Sequence, residues 1–205
     1  MPEWTRHRSA RRAAVPEGFD TYVGLEADAA MLRIYEPENV PGLLQTEDYA
    51  RAVMRATMLT AAEEEVARHV AVRMARQERL VGPDAPQLWV VVNEAVIRRP
   101  VGSPAVMRAQ LDRLLDSVAQ PGVTIQVLPF NVGAHAGMDG SFTILSFPEP
   151  GDPDVAYVPY YTGALYLEKS QQITAYTLMF DHLRATALAP GASRDLIARA
   201  RDELA

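Results

Sequence analysis

Cysteine is absent from the 205 residues of this chain. Its absence excludes disulfides, thiolate metal sites and cysteine nucleophiles. Long apolar runs are missing as well: none approaches the roughly 20 residues that span a bilayer. The arginine-rich N-terminus has no hydrophobic stretch of a signal peptide, which places the expected location in the cytoplasm. Glycine motifs that cradle phosphate are not found, neither Gly-x-Gly-x-x-Gly nor the loop that ends in Gly-Lys-Ser/Thr. No Gly-x-Ser-x-Gly nucleophile elbow occurs. His7, His69, His135 and His182 lie far apart, with no His-x-x-x-His or Glu-x-x-His pair. No metal site and no cofactor are therefore expected.

What is present is enough for a full core, with 48% hydrophobic residues. The net charge of −6 is uneven. Residues 1–15 carry Arg6, Arg8, Arg11 and Arg12 against Glu3, a balance of +3 that leaves −9 for the remainder. An acidic body argues against DNA as a partner, because phosphate binding needs a concentrated basic face. Residues 1–16 read as a flexible basic arm.

Hydrophobic periodicity divides the rest of the chain in two. Residues 17–83 read as a helical N-terminal lobe. A helix from Phe19 to Ala30 turns Tyr22, Val23, Ala27 and Ala30 to one face, with Glu26 among them. A carboxylate there sits either at a rim or in a buried pair, since an unpaired buried charge is costly. Met31–Tyr35 reads as a short strand. Val40-Pro41-Gly42-Leu43-Leu44 is a turn in which Pro41 fixes φ and Gly42 permits positive φ. Thr46 caps a helix to about Ala56, and Thr60-Ala61-Ala62-Glu63 has the spacing of a capping box for another to about Leu80. Arg73 and Arg76, three residues apart on that helix, read as part of a solvated stripe.

Residues 84–205 alternate strands and helices. Leu88–Val92 is a β-branched run of the kind buried on both faces of a sheet. Ser103-Pro104 starts a helix to about Ala119. Strands are expected at Val123–Leu128, Ser141–Phe147, Val155–Tyr160 and Ala164–Leu167. A helix follows from Ser170 to Ala187, and Ser193 is the expected cap of a last one. The fold class is therefore α/β in the mixed α+β sense, a helical N-terminal lobe packed on an α/β sheet lobe with C-terminal helices.

Several strings resemble a known family: Val40-Pro41-Gly42-Leu43-Leu44-Gln45-Thr46, Val72-Arg73-Met74-Ala75-Arg76-Gln77, Asn93 to Gly102, Met107 to Leu111, Val127-Leu128-Pro129-Phe130 and Gly140 to Leu145. The chain resembles, from about Phe19 to Ile197, an actinobacterial domain of unknown function. That domain is usually fused behind an Xre-type helix-turn-helix in WhiJ-like and antitoxin-like regulators. The resemblance implies regulation, with a small molecule or a small protein as partner and a second copy of the chain as a further one. Only about 18 residues precede Phe19, too few for a helix-turn-helix, so a stand-alone domain is expected. Relatives carry a glutamate near the position of Pro159; here the string is Tyr157-Val158-Pro159. The sheet lobe is also similar to half of a phospholipase-D-like fold. His135-Ala136-Gly137 lacks the lysine of that chemistry, and Asp139 lies too near the histidine.

Glu94 and His135 are the candidate catalytic groups. Glu94 follows the end of a buried strand, where open sheets bind ligands, and with Arg98 it either holds a polar ligand or ties down the next loop. His135 is either an acid–base group or an ordinary loop residue. Glu26, Tyr35, Glu94, Arg98, His135 and Tyr166 form the expected ligand-binding set. The first functional expectation is a sensor and partner-binding domain without catalysis. The second is a cofactor-independent cyclase or isomerase of specialised metabolism, which needs only a shaped apolar pocket with a few polar groups.

Overall fold

The computed structural model describes residues 19–204, so the expected basic arm over 1–16 lies outside the described residues. The chain runs α1 (Phe19–Asp28), β1 (Met31–Glu36), α2 (Glu47–Thr57), α3 (Glu63–Gln77) and β2 (Gln87–Asn93). It continues through α4 (Glu94–Arg98), α5 (Pro104–Ser117), β3 (Val123–Leu128), β4 (Phe142–Ser146), β5 (Val155–Tyr160), β6 (Gly163–Leu167), α6 (Ser170–Thr186) and α7 (Pro190–Asp202). The fold is mixed α+β, as the sequence pattern predicts.

One six-stranded sheet has the order β3-β2-β1-β4-β5-β6. Strands β1, β2 and β3 are mutually parallel, joined by helical crossovers as parallel pairing requires. β4, β5 and β6 add antiparallel. β1 lies at the centre, between β2 and β4. The strand read from residues 31–35 is thus shared with the sheet formed after residue 84.

Alternation along the strands sorts the core onto two faces. On one face Leu32, Ile34, Val90, Val92 and Leu145 pack with residues of α1, α5 and α7, including Tyr22, Leu111 and Ile197. On the other, Tyr35, Val91, Phe142 and Ile144 receive Phe180 and Leu183 of α6. A smaller cluster of Ala50, Met54, Val66 and Val70 joins α2 to α3.

Local chemistry explains most element starts. The Thr46 hydroxyl accepts from Tyr49 N, and that of Ser103 from Val106 N. Two expected caps fail. α3 starts at Glu63 with Ala62 as its cap residue, so Thr60 stands outside the helix and the capping box does not form. α7 starts at Pro190, which places Ser193 inside the helix and fully buried. There its hydroxyl accepts from Val127 N at 2.9 Å and donates to Leu188 O at 3.1 Å. Leu188 N in turn donates to Val127 O at 2.9 Å. The outer edge of β3 is thereby partly covered, which blunts it as a template for another strand.

Gly137 approaches the second core more closely than any side chain would permit. A Cβ there would lie 2.5 Å from Cζ and 2.9 Å from Cδ1 of the fully buried Tyr35 ring. Gly137→Ala is expected to destabilise the fold by about 1–3 kcal/mol through overpacking. Chemical denaturation compared with the parent chain measures this, and an unchanged midpoint would mean that Tyr35 has room to move.

Candidate functional site

At the carboxyl end of β1 the chain leaves the sheet through the Val40–Leu44 corner. Val40, Leu43 and Leu44 are buried there, and Gly42–Leu44 form a short 3₁₀ turn. Gly42 does not adopt positive φ. Its lack of a side chain matters for another reason: a Cβ would sit 3.5 Å from Arg73 Nε and 3.7 Å from Arg76 Nη1. The corner's polar groups are satisfied by side chains from several elements. Gln45 Nε2 donates to Val40 O at 2.6 Å, and Gln77 Nε2 to Gly42 O at 3.1 Å and Gln45 O at 2.7 Å. Gln110 Nε2 donates to Leu44 O at 2.8 Å while its Oε1 accepts from Thr46 N at 2.7 Å. Val40 N donates to the Tyr49 hydroxyl.

Between this corner and the sheet lies a half-open cavity of about 140 Å³. Glu36 of β1, Tyr22 and Glu26 of α1, and Arg73 and Arg76 of α3 line it, with Thr143 of β4 and Tyr157 and Pro159 of β5. The expected solvated stripe on α3 is therefore overturned, because Arg73 and Arg76 turn towards the sheet. The Arg76 side chain is only 9% exposed and that of Glu26 only 2%. Their pairing is bidentate, Nε to Oε1 at 2.7 Å and Nη2 to Oε2 at 2.6 Å. Of the two alternatives for Glu26, the structure selects the buried pair. The guanidinium of Arg76 also lies 5.3 Å from the centre of the Tyr22 ring, within cation–π range.

Arg73 is held differently. Its Nη1 donates to Gln45 Oε1 at 2.7 Å, but its buried Nε has no partner. Among the described residues no carboxylate forms an ion pair with it. Burial, and then the like charge of Arg76, lower its pKa to about 10, so it stays charged at neutral pH. Burial acts on Glu36 in the opposite sense and raises its carboxyl pKa to about 8, despite the opposing pull of Arg73. Burial also raises the Tyr22 and Tyr157 hydroxyls, so both remain protonated well above neutrality.

The six residues of the expected ligand set do not meet in one place. Glu26 lines the cavity, and Tyr166 packs behind its wall, with its ring centre 5.3 Å from that of Tyr157. Tyr35 points to the opposite sheet face, where its ring meets that of His135 edge-on at 6.0 Å. His135 Nδ1 accepts from Gly137 N at 3.1 Å, which organises the loop. Glu94 Oε1 accepts from Arg98 at 3.3 Å and Oε2 from Phe130 N at 3.0 Å, while Arg98 also pairs with Glu203. Glu94 and Arg98 thus tie a loop and α7 to α4. Among the described residues no group of acidic side chains and histidines could hold a metal ion. No helix of the described residues is long and apolar enough to cross a membrane.

Sequence reasoning missed Glu36, Arg73, Arg76 and Tyr157 as a unit. The available signal was the three-residue spacing of the arginines beside a glutamine-rich corner, with two carboxylates one helix and one strand upstream.

Two outcomes are expected from this geometry. Glu26→Gln or Arg76→Met alone leaves a buried charge uncompensated and costs about 3–5 kcal/mol. The double variant recovers much of that loss, so a double-mutant cycle by urea unfolding shows strong coupling; additive losses would contradict the pairing. For Glu36, the unfolded chain releases the proton near the ordinary 4.5 and the folded chain near 8. Between those values the unfolded state binds fewer protons, so stability falls as pH rises and levels off above the folded pKa. Glu36→Gln is therefore expected to stabilise the protein on the order of 2 kcal/mol in alkaline solution, with the gain shrinking towards pH 4.5. Thermal melts across that range test it, and a gain independent of pH would contradict it.

No curated protein matches the chain, and no solved structure does. A family model matches residues 19–199. The chain belongs to the family described as "Domain of unknown function (DUF5753)".

Proposed function

We propose that this domain is a non-catalytic sensor of the regulator type, and that a small molecule bound in the Arg73–Glu36 cavity is its signal. The observation that carries the reading is the Arg73 guanidinium at the wall of a half-open cavity, with no carboxylate paired to it among the described residues. A partly buried cation without a counter-charge costs free energy, and a bound ligand of opposite charge removes part of that cost. The resemblance to WhiJ-like and antitoxin-like regulators, and to half of a phospholipase-D-like fold stripped of its catalytic residues, supports the same reading. Pro159, where relatives carry a glutamate, lines this cavity, so the position adds no carboxylate here.

A second reading is a cofactor-independent cyclase or isomerase. Glu36 favours it, because a carboxyl that titrates near 8 is matched to general acid–base work near neutral pH. The tyrosine hydroxyls of the cavity would then orient the substrate.

Native mass spectrometry of the protein from an actinobacterial host, before and after denaturation, tests both. A small molecule that leaves on denaturation, and that is missing from a folded Arg73→Met variant, is the expected result. The sensor reading further expects the same molecule on the parent and on Glu36→Gln; a different, unconverted molecule on Glu36→Gln would establish the enzyme instead. An empty protein, or one carrying only a small partner protein, would overturn both.

A further inference from the structure

We infer that the cavity takes a small carboxylate monoanion, whose oxygens accept from Arg73 while the Glu36 carboxyl donates its hydrogen to them. The inference rests on the reading of this cavity as a ligand pocket, and it names the ligand's chemistry.

Charge and hydrogen-bonding capacity point the same way. Both Nε and Nη2 of Arg76 are engaged by Glu26, which cancels that pair of charges. Arg73 has spent Nη1 on Gln45, a neutral acceptor, and keeps its positive charge at the cavity wall. Glu36, held protonated by burial at neutral pH, does not compensate it. Among the described residues the cavity therefore carries one uncancelled positive charge together with one carboxyl hydrogen to give. A carboxylate satisfies both with its two oxygens, and a charge-assisted bond to guanidinium is the stronger kind. A dianion would bring a second negative charge beside the Glu26 carboxylate with no cation left for it among the described residues. An amino-acid zwitterion would need Glu36 ionised to meet its ammonium.

Size and lining restrict the rest of the molecule. The cavity, at about 140 Å³, is smaller than the roughly 300–1,000 Å³ of drug-sized pockets, which fits it to a small ligand. Phe142, Pro159 and the rings of Tyr22 and Tyr157 offer apolar surface for a short alkyl or aryl body.

The groups that face Glu36 set how binding depends on pH. They are Arg73 and Arg76 of α3, Tyr22 and Glu26 of α1, Tyr157 of β5 and Tyr49 of α2. Both arginines stay charged through neutral pH, and burial raises all three tyrosines. Glu26 is fixed in its pair with Arg76. Glu36 is therefore the group that titrates between neutral and mildly alkaline pH. Its ionisation both removes the donated hydrogen and cancels the Arg73 charge, so binding weakens as pH rises through 8.

Isothermal titration calorimetry with sodium benzoate, benzamide and alanine provides the test. Benzoate is expected to bind about 30-fold more weakly at about pH 9.5 than at about pH 6.5, with proton uptake on binding near pH 8. Glu36→Gln keeps benzoate binding and flattens the pH dependence. Arg73→Met abolishes it at every pH. If Arg73→Met does not fold, Arg73→Lys serves instead, and it is expected to weaken benzoate at least about tenfold because it cannot reproduce the guanidinium fork. Benzamide binding at this site without benzoate would overturn the carboxylate inference, and alanine binding without benzoate would overturn its monoanion charge; either leaves the ligand-pocket reading standing, as would benzoate binding that is indifferent to pH or to Arg73. Failure of all three probes to bind overturns the inference. Whether the pocket reading then survives is decided by the molecule found, or not found, on the native protein.

Discussion

The bidentate pair of Glu26 and Arg76 is the constraint on which this site is built. It joins α1 to α3 across the end of the sheet, with both side chains almost removed from water. Buried pairs of this kind gain little net stability against an apolar substitute, since desolvation offsets most of the attraction. Their effect is one of geometry. With Arg76 fixed by two hydrogen bonds, Arg73 one helical turn away is held at the cavity beside Gly42. The two arginines lie side by side on one helix but have different roles, because only one ionised carboxylate of the described residues pairs with them.

Glu36 shows the same low-polarity surroundings from the other side. Placed at the last position of a central strand, it has helices over one face and, among the described residues, no basic group within ion-pairing distance. Its high pKa follows from burial, as does the low one of Arg73. Oppositely signed groups that fail to touch, and are both pushed towards neutrality, leave space between them with a defined electrostatic character.

Much of the fold could be read from the sequence because its signals are local. The β-branched run Leu88–Val92 and the Ser103-Pro104 start each act within a few residues. The places where the reading failed depend on contacts between distant segments. Arg73 and Arg76 look like surface charge until α3 is laid against β1, whose central position depends on pairing with residues more than fifty and a hundred positions later. Ser193 looks like a helix cap until β3 is seen to need a partner for Val127 N. Glu94, Arg98 and His135 each hold a loop or a neighbouring element, contacts that only the assembled fold displays. Of the expected ligand set, Glu26 lines the cavity, and it is legible because an acid on an apolar helix face is a local signal.

The glutamine clamp on the corner has a consequence for motion. Gln77 belongs to α3, Gln110 to α5 and Gln45 to the corner itself, and Tyr49 of α2 holds it from a further side. The corner cannot peel away without releasing hydrogen bonds to three helices at once, so its opening is tied to large-scale unfolding and not to local fluctuation. The opposite wall is built otherwise: β5 and β6 form a hairpin whose outer residues Tyr160, Tyr161 and Leu165 are exposed. The cavity is therefore bounded on one side by a corner tied to three helices and on the other by a strand of a hairpin whose outer face is exposed.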